Sequence, residues 1–148
     1  MQQLIPLLAA YYDHVLIDCP AGVGTGFASA VAAAQRALVV SNPDPVCVRD
    51  SAIVRRLLAE KGVKDQRLVI NRFQNSRFKK LGYFEDLDAM IDESGIRLIA
   101  VIPEDVQLAS AAAGARPAPQ RCSGAMAYAR LAARLEGEHV PLASLRWM

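Results

Sequence analysis

Apolar runs and helical patterns alternate along the chain, and this alternation predicts an α/β domain with a mainly parallel sheet. Short runs rich in Val, Leu and Ile predict strands at 15–17, 37–41, 67–71 and 97–102. Apolar residues at helical spacing predict helices at 1–9, 27–35, 46–60, 84–93, 106–113 and 124–135. In the last of these helices, the pattern predicts an inward face made of Ala125, Tyr128, Ala129, Ala132 and Leu135.

Polar or turn residues follow all four predicted strands. They are Asp18, then Ser41-Asn42-Pro43, then Asn71-Arg72-Phe73, and then Pro103-Glu104-Asp105. Ligands of open parallel sheets bind at the carboxyl ends of the strands, so we expect a site at this edge. A carboxylate at a strand tip suits Mg²⁺, and an Asn side chain can bind an adenine edge. Turn and cap chemistry explains the same residue types, and Asp105 is placed to cap the helix at 106–113.

Length and composition indicate one domain over residues 1–148 in a reducing compartment. The chain is long enough for a substantial core, and its net charge of +2 gives no indication of nucleic-acid binding. Three widely spaced cysteines form no disulfide framework. No apolar run approaches the ~18 residues that span a bilayer, and the apolar stretch at 4–10 lacks the basic flank of a signal peptide.

Several common site motifs are absent or incomplete. No G-x-x-x-x-G-K-[ST] loop occurs in the 148 residues. The glycines at 22, 24 and 26 follow a G-x-G-x-G spacing, which disfavours a Rossmann-type oxidoreductase. A phosphatase-like Cys19 would need an arginine at position 25, which is Thr25, and the lone histidines His14 and His139 have no partners at metal-ligand spacing.

Nine short segments, taken in their order and spacing, resemble the C-terminal part of the MinD/ParA-type ATPases, and the resemblance extends over nearly the whole chain. The matching segments are 12–22, 26–27, 42–44, 48–51, 71–73, 95, 101–105, 137–138 and 140–142.

The resemblance implies a three-layer, incomplete P-loop NTPase fold of the SIMIBI type. Members of that family bind ATP with Mg²⁺, form a homodimer in the ATP state and hydrolyse ATP slowly. They place the division septum or position other cargo, together with a division or partition regulator. The implied location is the cytoplasm, with peripheral contact to the inner face of the membrane for a full-length parent.

The resemblance also assigns roles to residues of this chain. Asp18 would be the Walker B residue, which holds Mg²⁺ through water, and Pro20, Ala21 and Gly22 would form the switch loop that senses the γ-phosphate. Five residues would flank the adenine: Asn71, Arg72, Pro103, Glu104 and Asp105. The helix at 46–60 matches a region near the dimer and partner surface.

Three departures from the family pattern affect the expected activity. The Walker A segment, the switch I region and the C-terminal amphipathic membrane helix have no counterpart, since only residues 143–148 follow Leu142. The P-loop strand would lie between the strands at 15–17 and 37–41, which therefore lose a shared neighbour. We expect the chain alone to be hydrolytically incompetent, and a non-catalytic short form that binds nucleotide or a partner remains an alternative.

Overall fold

The computed structural model describes residues 2–20 and 22–143, and these contain a parallel sheet with helices on both faces. The sheet has the order β1-β2-β3, with β1 at Arg36–Ser41, β2 at Asp65–Phe73 and β3 at Leu98–Pro103. The helices are α1 Leu4–Ala9, α2 Thr25–Val31, α3 Pro45–Glu60, α4 Asn75–Leu81, α5 Leu87–Ser94, α6 Val106–Ala113 and α7 Ser123–Leu135. The predicted α/β class is confirmed, and no described helix is long and apolar enough to cross a membrane.

Two separate apolar clusters hold the helices to the sheet. On one face, Leu68 and Ile70 of β2 are buried with Val48 of α3 and Met90 of α5. On the other face, Val69 of β2 and the inner residues of β3 are buried with Ala127 and Leu131 of α7. Each fully buried Leu or Ile stabilises the fold by about 1.5–3 kcal/mol, so both layers depend on the alternation of Leu68, Val69 and Ile70 between the two faces of β2.

The clearest predicted helix, at 46–60, is confirmed as α3 with one extra residue at its start. Asp44 is its N-cap, and Oδ1 accepts hydrogen bonds from the backbone N–H groups of Val46 at 3.1 Å and Cys47 at 3.0 Å. Pro45 occupies the first turn, where no intrahelical N–H bond is lost. Gly62, with a φ of +89°, lets the chain leave the helix in a left-handed conformation.

The predicted strand at 15–17 is wrong. These residues form no ladder with the described strands, and Leu16 is 89% exposed. An apolar run becomes a strand only when a neighbouring strand takes its backbone hydrogen bonds, and none does so here. One contact of this segment is with the end of α7, where His14 Nε2 lies 2.8 Å from Glu136 Oε1, and both side chains are exposed.

Two further expectations about helices are corrected by the structure. The pattern does not predict α4, a short polar helix that ends at Gly82 with a φ of +60°. In α7 the buried residues are Gly124, Ala127 and Leu131. Of the predicted inward face, Leu135 is confirmed because it packs against the sheet, whereas Tyr128 is 48% exposed and that part of the prediction is wrong. An alanine-rich helix offers several stripes of equal hydrophobicity, and the contact of α7 with β3 selects the stripe that carries Leu131.

Strand β1 lies at the edge of the sheet, and part of its surface is uncovered. Its outer N–H and C=O groups have no strand partner among the described residues. On the α7 side of the sheet, Leu38 is 37% and Val40 is 61% exposed, because α7 packs mainly on β3. An exposed apolar edge of this kind pairs readily with another chain.

Val40→Lys should reduce self-association of the chain without unfolding it. A lysine on an open edge opposes edge-to-edge pairing, because pairing would bring like charges together. Sedimentation velocity over a concentration series measures the effect, with Leu81→Lys as the control at an exposed apolar site on α4. A wild-type chain that stays monomeric throughout the series would contradict this expectation.

Candidate functional site

A pocket of ≈ 480 Å³ opens at the carboxyl ends of β2 and β3, which is within the size range of ligand sites. Its walls come from the β2–α4 junction, the β3–α6 junction, α6, the loop after α6, and α7. The lining residues are Asn71, Arg72, Ile102, Pro103, Glu104, Asp105, Leu108, Ala109, Ala111, Ala112, Arg116, Ala118 and Tyr128. The structure therefore brings all five residues predicted to flank an adenine into one pocket, and their role in binding stays a prediction.

A β-bulge turns Asn71 and Arg72 toward this pocket. Ile70 pairs with Val101 and Phe73 pairs with Pro103, so β2 carries one more residue than β3 over this interval. Ile70 and Phe73 are both 1% exposed, and the two residues between them leave the regular ladder. Arg72 has a φ of +54°, a left-handed conformation that costs a non-glycine residue roughly 1–2 kcal/mol.

The two strand ends are tied to each other beyond the ladder. Arg72 Nη2 donates to Glu104 Oε1 at 3.1 Å, and the backbone N–H of Glu104 donates to the carbonyl of Phe73 at 2.9 Å. The backbone bond positions Glu104, and the ion pair positions the side chain of Arg72 at the mouth of the pocket. Both side chains are partly exposed, so the pair adds about 1 kcal/mol of stability at most.

Asp105 joins the starts of two helices. Its Oδ1 accepts from the backbone N–H groups of Gln107 at 2.8 Å and Leu108 at 3.2 Å, which confirms the predicted cap of α6. Its Oδ2 accepts from Ser123 Oγ at 2.8 Å and from the backbone N–H of Gly124 at 2.9 Å at the start of α7. Four protein donors thus occupy both oxygens, so this carboxylate shapes the pocket and is not available to a ligand.

These hydrogen bonds hold the pKa of Asp105 far below its ordinary value. The bond from the Gly124 N–H is the largest cause; burial acts in the opposite direction, and the bonds from Ser123 and Leu108 add to the lowering. The packing at this point is close, since a Cβ on Gly124 would overlap the Leu108 side chain and lie 3.1 Å from Asp105 Cβ. A side chain at this position would therefore require Leu108 to move where α7 meets α6.

The chemistry of the pocket fits a nucleotide base. Ile102, Leu108 and Ala112 supply apolar surface, and the exposed ring of Tyr128 lies at the same pocket. The side-chain amide of Asn71 makes no hydrogen bond with the described residues, so its donor and acceptor are both available. Tyr128 is a lining residue that the sequence pattern does not reveal, because its helical position predicts burial.

The residues predicted to handle metal and phosphate lie outside this pocket. Asp18, Pro20 and Gly22 are exposed, and Ala21 lies outside the described residues. The prediction that Asp18 ends a buried strand is wrong, because the preceding residues form no strand. Gly26 allows the Pro20 ring to pack on the first turn of α2, since a Cβ there would lie 2.6 Å from Pro20 Cγ.

Mg²⁺ fits Asp18 only as a single carboxylate ligand. Across residues 2–20 and 22–143, no three His, Cys, Asp or Glu side chains are grouped so as to hold a metal ion. Asp18 has no hydrogen-bond or ion-pair partner in that part of the chain, so its oxygens are available. Magnesium sites with one or two carboxylates take their remaining ligands from phosphates and water, and Asp18 suits that arrangement.

Comparisons with known proteins agree on one family. No protein-family model matches the chain. The septum site-determining protein MinD of Bacillus subtilis is 32% identical over 145 residues, which cover 96% of this chain and 54% of that protein. The chain is a homologue of the MinD proteins. It spans about half the length of the curated relatives that it matches.

Solved structures of MinD share the fold of this homologue. MinD from Aquifex aeolicus matches with a TM-score of 0.87 at 28% identity, over 96% of this chain and 61% of that one. In the Aquifex MinC:MinD complex the TM-score is 0.83 at 29% identity, over 93% and 57% of the two chains. MinD from Pyrococcus horikoshii, solved with Mg-ADP, gives 0.75 at 29% identity, over 91% and 55%. These matches confirm the resemblance and the predicted class, an incomplete P-loop NTPase fold with a parallel sheet flanked by helices.

Asp105→Ala should lower the free energy of unfolding by about 2 kcal/mol, because each lost helix cap costs about 1 kcal/mol. The matched control is Asp86→Ala, which removes the cap of α5 alone, where Asp86 Oδ1 accepts from the Ala89 N–H at 2.9 Å. Urea unfolding of both variants measures the difference. An equal loss in the two variants would show that Asp105 stabilises only one helix.

The contribution of Asp105 should also depend on pH. Its pKa is lower in the folded state than the ordinary 3.8, so the stabilisation is complete above that value and is lost as the pH falls below it. The stability difference between wild type and Asp105→Asn should therefore be constant from neutral pH down to about pH 5 and shrink below about pH 4. A difference that stays constant into the acid range would contradict the lowered pKa.

Proposed function

We propose that this chain carries the base-binding side of an adenine-nucleotide site in a MinD-like ATPase that acts in placing the division septum. The observation that supports this proposal is the pocket at the ends of β2 and β3, in a fold shared with MinD structures. All five residues that the family resemblance assigns to the adenine line that pocket. The Mg-ADP bound to the Pyrococcus horikoshii homologue supports the choice of nucleotide.

Each side of the pocket has a distinct role in this proposal. The Asn71 amide pairs with the hydrogen-bonding edge of the base, because it offers one donor and one acceptor. Ile102, Pro103 and Leu108 provide apolar surface that excludes water from the ring. Arg72 and Glu104 border the mouth of the pocket, and Asp105 keeps α6 and α7 in place around it.

The phosphate side of the site is only partly represented. Mg²⁺, when bound with nucleotide, neutralises charge on the phosphates. Asp18 would hold that ion through water, next to a switch loop made of Pro20, Ala21 and Gly22. Phosphoryl transfer in P-loop enzymes also requires the Walker A backbone and its lysine, which have no counterpart in these 148 residues. We infer that the isolated chain binds a nucleotide base without hydrolysing ATP at a family-like rate.

The partners we propose also follow the family. The Aquifex MinC:MinD complex supports a division regulator as a partner of the full assembly. A homodimer in the ATP state and peripheral contact with the inner face of the membrane are part of the same proposal. The surface of α3 is our candidate for the partner contact, since Arg49 and Asp50 are exposed near its first turn.

Nucleotide binding by the purified chain tests the base pocket directly. Titration calorimetry with AMP, ADP and ATP should give similar affinities, because the base contacts are present and the phosphate cradle is not. Asn71→Ala should weaken all three by about tenfold, the loss of one good bidentate base contact. Asn75→Ala in α4, an asparagine that does not line the pocket, is the control.

Affinity that rises steeply from AMP to ATP would contradict a site confined to the base. Equal effects of Asn71→Ala and Asn75→Ala would remove Asn71 from the site.

The hydrolysis inference has its own measurement. Release of phosphate from ATP with Mg²⁺ should stay at background, and Asp18→Ala should leave that background unchanged. The reason is that the Asp18 carboxylate, through Mg²⁺, can contribute to hydrolysis only when a Walker A segment holds the phosphates in place. Turnover by the purified chain that disappears in Asp18→Ala would overturn the inference.

A further inference from the structure

Helix α1 is apolar, and the described chain leaves it uncovered. It contains no charged residue and none of its residues is buried, with Leu4 at 49% and Leu7 at 59% exposure. An open cavity of ≈ 510 Å³ lies between the residues just before α1 and the face of α2 that carries Ala28 and Ser29. Leu4, Leu7 and Leu8 follow helical spacing, so α1 presents an apolar stripe that is free to pack on another surface.

Strand β1 offers an apolar surface for such a helix. Its four consecutive apolar residues, at 37–40, are typical of a strand in a parallel sheet that is covered on both faces. Only one face is covered here, because Val39 is buried in the cluster on the α3 side. Leu38 and Val40 lie on the α7 side and are exposed. The described chain therefore holds both an uncovered apolar helix and an uncovered apolar strand face.

The segment that follows α1 passes close to the start of β1. His14 Nε2 lies 2.8 Å from Glu136 Oε1, and Arg36 Nη1 donates to the carbonyl of Leu135 at 3.4 Å. Because Leu135 and Glu136 are adjacent at the end of α7, His14 and Arg36 lie near each other. Arg36 is also on the face of β1 that carries Leu38, since side chains two positions apart in a strand share a face.

The connection is long enough for α1 to reach this face. Residues 10–13, between α1 and His14, are all exposed, and four extended residues span ~13 Å. Val40 lies four positions beyond Arg36 along β1, which is also ~13 Å. Through such a short tether α1 acts at an effective concentration in the millimolar range, above that of a second copy in a dilute sample.

We propose that α1 is a strap that closes over Leu38 and Val40 and so competes with the association of a second chain at β1. In the closed form the leucine stripe of α1 and the exposed face of β1 are both removed from water. Association of another chain at β1 draws on the same two side chains, so the closed strap opposes it. This inference concerns a surface outside the pocket, and its failure would leave the proposed function intact.

Self-association of the full chain tests the competition. Leu7→Lys should raise the association constant in sedimentation velocity by about tenfold, because a charged α1 no longer covers β1. Leu81→Lys is the matched control, since it places the same charge at an exposed leucine of another short helix and should not raise the constant. Adding Val40→Lys to Leu7→Lys should cancel the increase. An unchanged constant in Leu7→Lys would overturn the proposal, and so would a decrease, which would show that α1 joins two copies.

A photo-crosslinking probe locates the strap directly. A benzophenone side chain at position 7 of the full chain should crosslink, within the monomer, to the tryptic peptide of residues 37–49, which carries Leu38 and Val40. The same probe at position 81 should not label that peptide. Crosslinks from position 7 that miss this peptide, or that form only between two chains, would overturn the proposal. Thermal unfolding of each variant checks that it is folded.

Discussion

The candidate site depends first on the carboxylate of Asp105. This side chain satisfies backbone donors at the starts of α6 and α7, and so it fixes the two helices that form one wall of the pocket. Helix starts leave N–H groups without intrahelical partners, and one aspartate here meets that need for two helices at once. Gly124 favours the close approach of α7 at this bond, since a side chain there would require Leu108 to move. The shape of the pocket therefore depends on the two helix caps that Asp105 makes. Although this carboxylate lies at the end of a strand, its role is to hold the two helices and not to bind a ligand.

The opposite wall depends on a local irregularity in β2. Phe73 is buried on the same face as Ile70 although three positions separate them, and this requires one extra residue in the strand. The bulge leaves Arg72 in a left-handed conformation whose cost is offset by the burial of Phe73. Strained backbone of this kind occurs often at ligand sites, where the surrounding packing maintains it. Asn71 and Arg72 gain their position at the pocket because they are excluded from the core.

The helices of this homologue cover the three-stranded sheet unevenly, and both β1 and β3 are edge strands among the described residues. β3 is covered by α7 and β2 is covered on both faces, whereas β1 has an uncovered apolar face. The extended segment that carries Asp18 joins no strand among the described residues. The base side of the site is thus well ordered by the sheet, while the carboxylate assigned to metal and phosphate lies on a segment that the sheet does not position. The residues proposed to bind the base and the residues proposed to act on the phosphates therefore lie in separate parts of the structure.

The sequence by itself determined the three parallel strands, the helices α3, α5, α6 and α7, and the cap at Asp105. These features depend on periodicity and on side chains that bond to their own neighbours, so short-range patterns are enough to predict them. The strand-end pattern indicated polar residues at one edge of the sheet, and the family resemblance singled out Asn71, Arg72, Pro103, Glu104 and Asp105 among them as a set. It failed at 15–17, where an apolar run has no partner strand, and at Tyr128, which the alanine-rich pattern of α7 places inward.

Only the tertiary structure decided the bulge, the pairing of Arg72 with Glu104 and the second cap made by Asp105. Each of these joins residues that are distant in the chain or depends on which of several equal faces packs against the sheet. Strand register and helix packing determine such contacts, and neither is encoded in a local pattern of hydrophobic and polar residues.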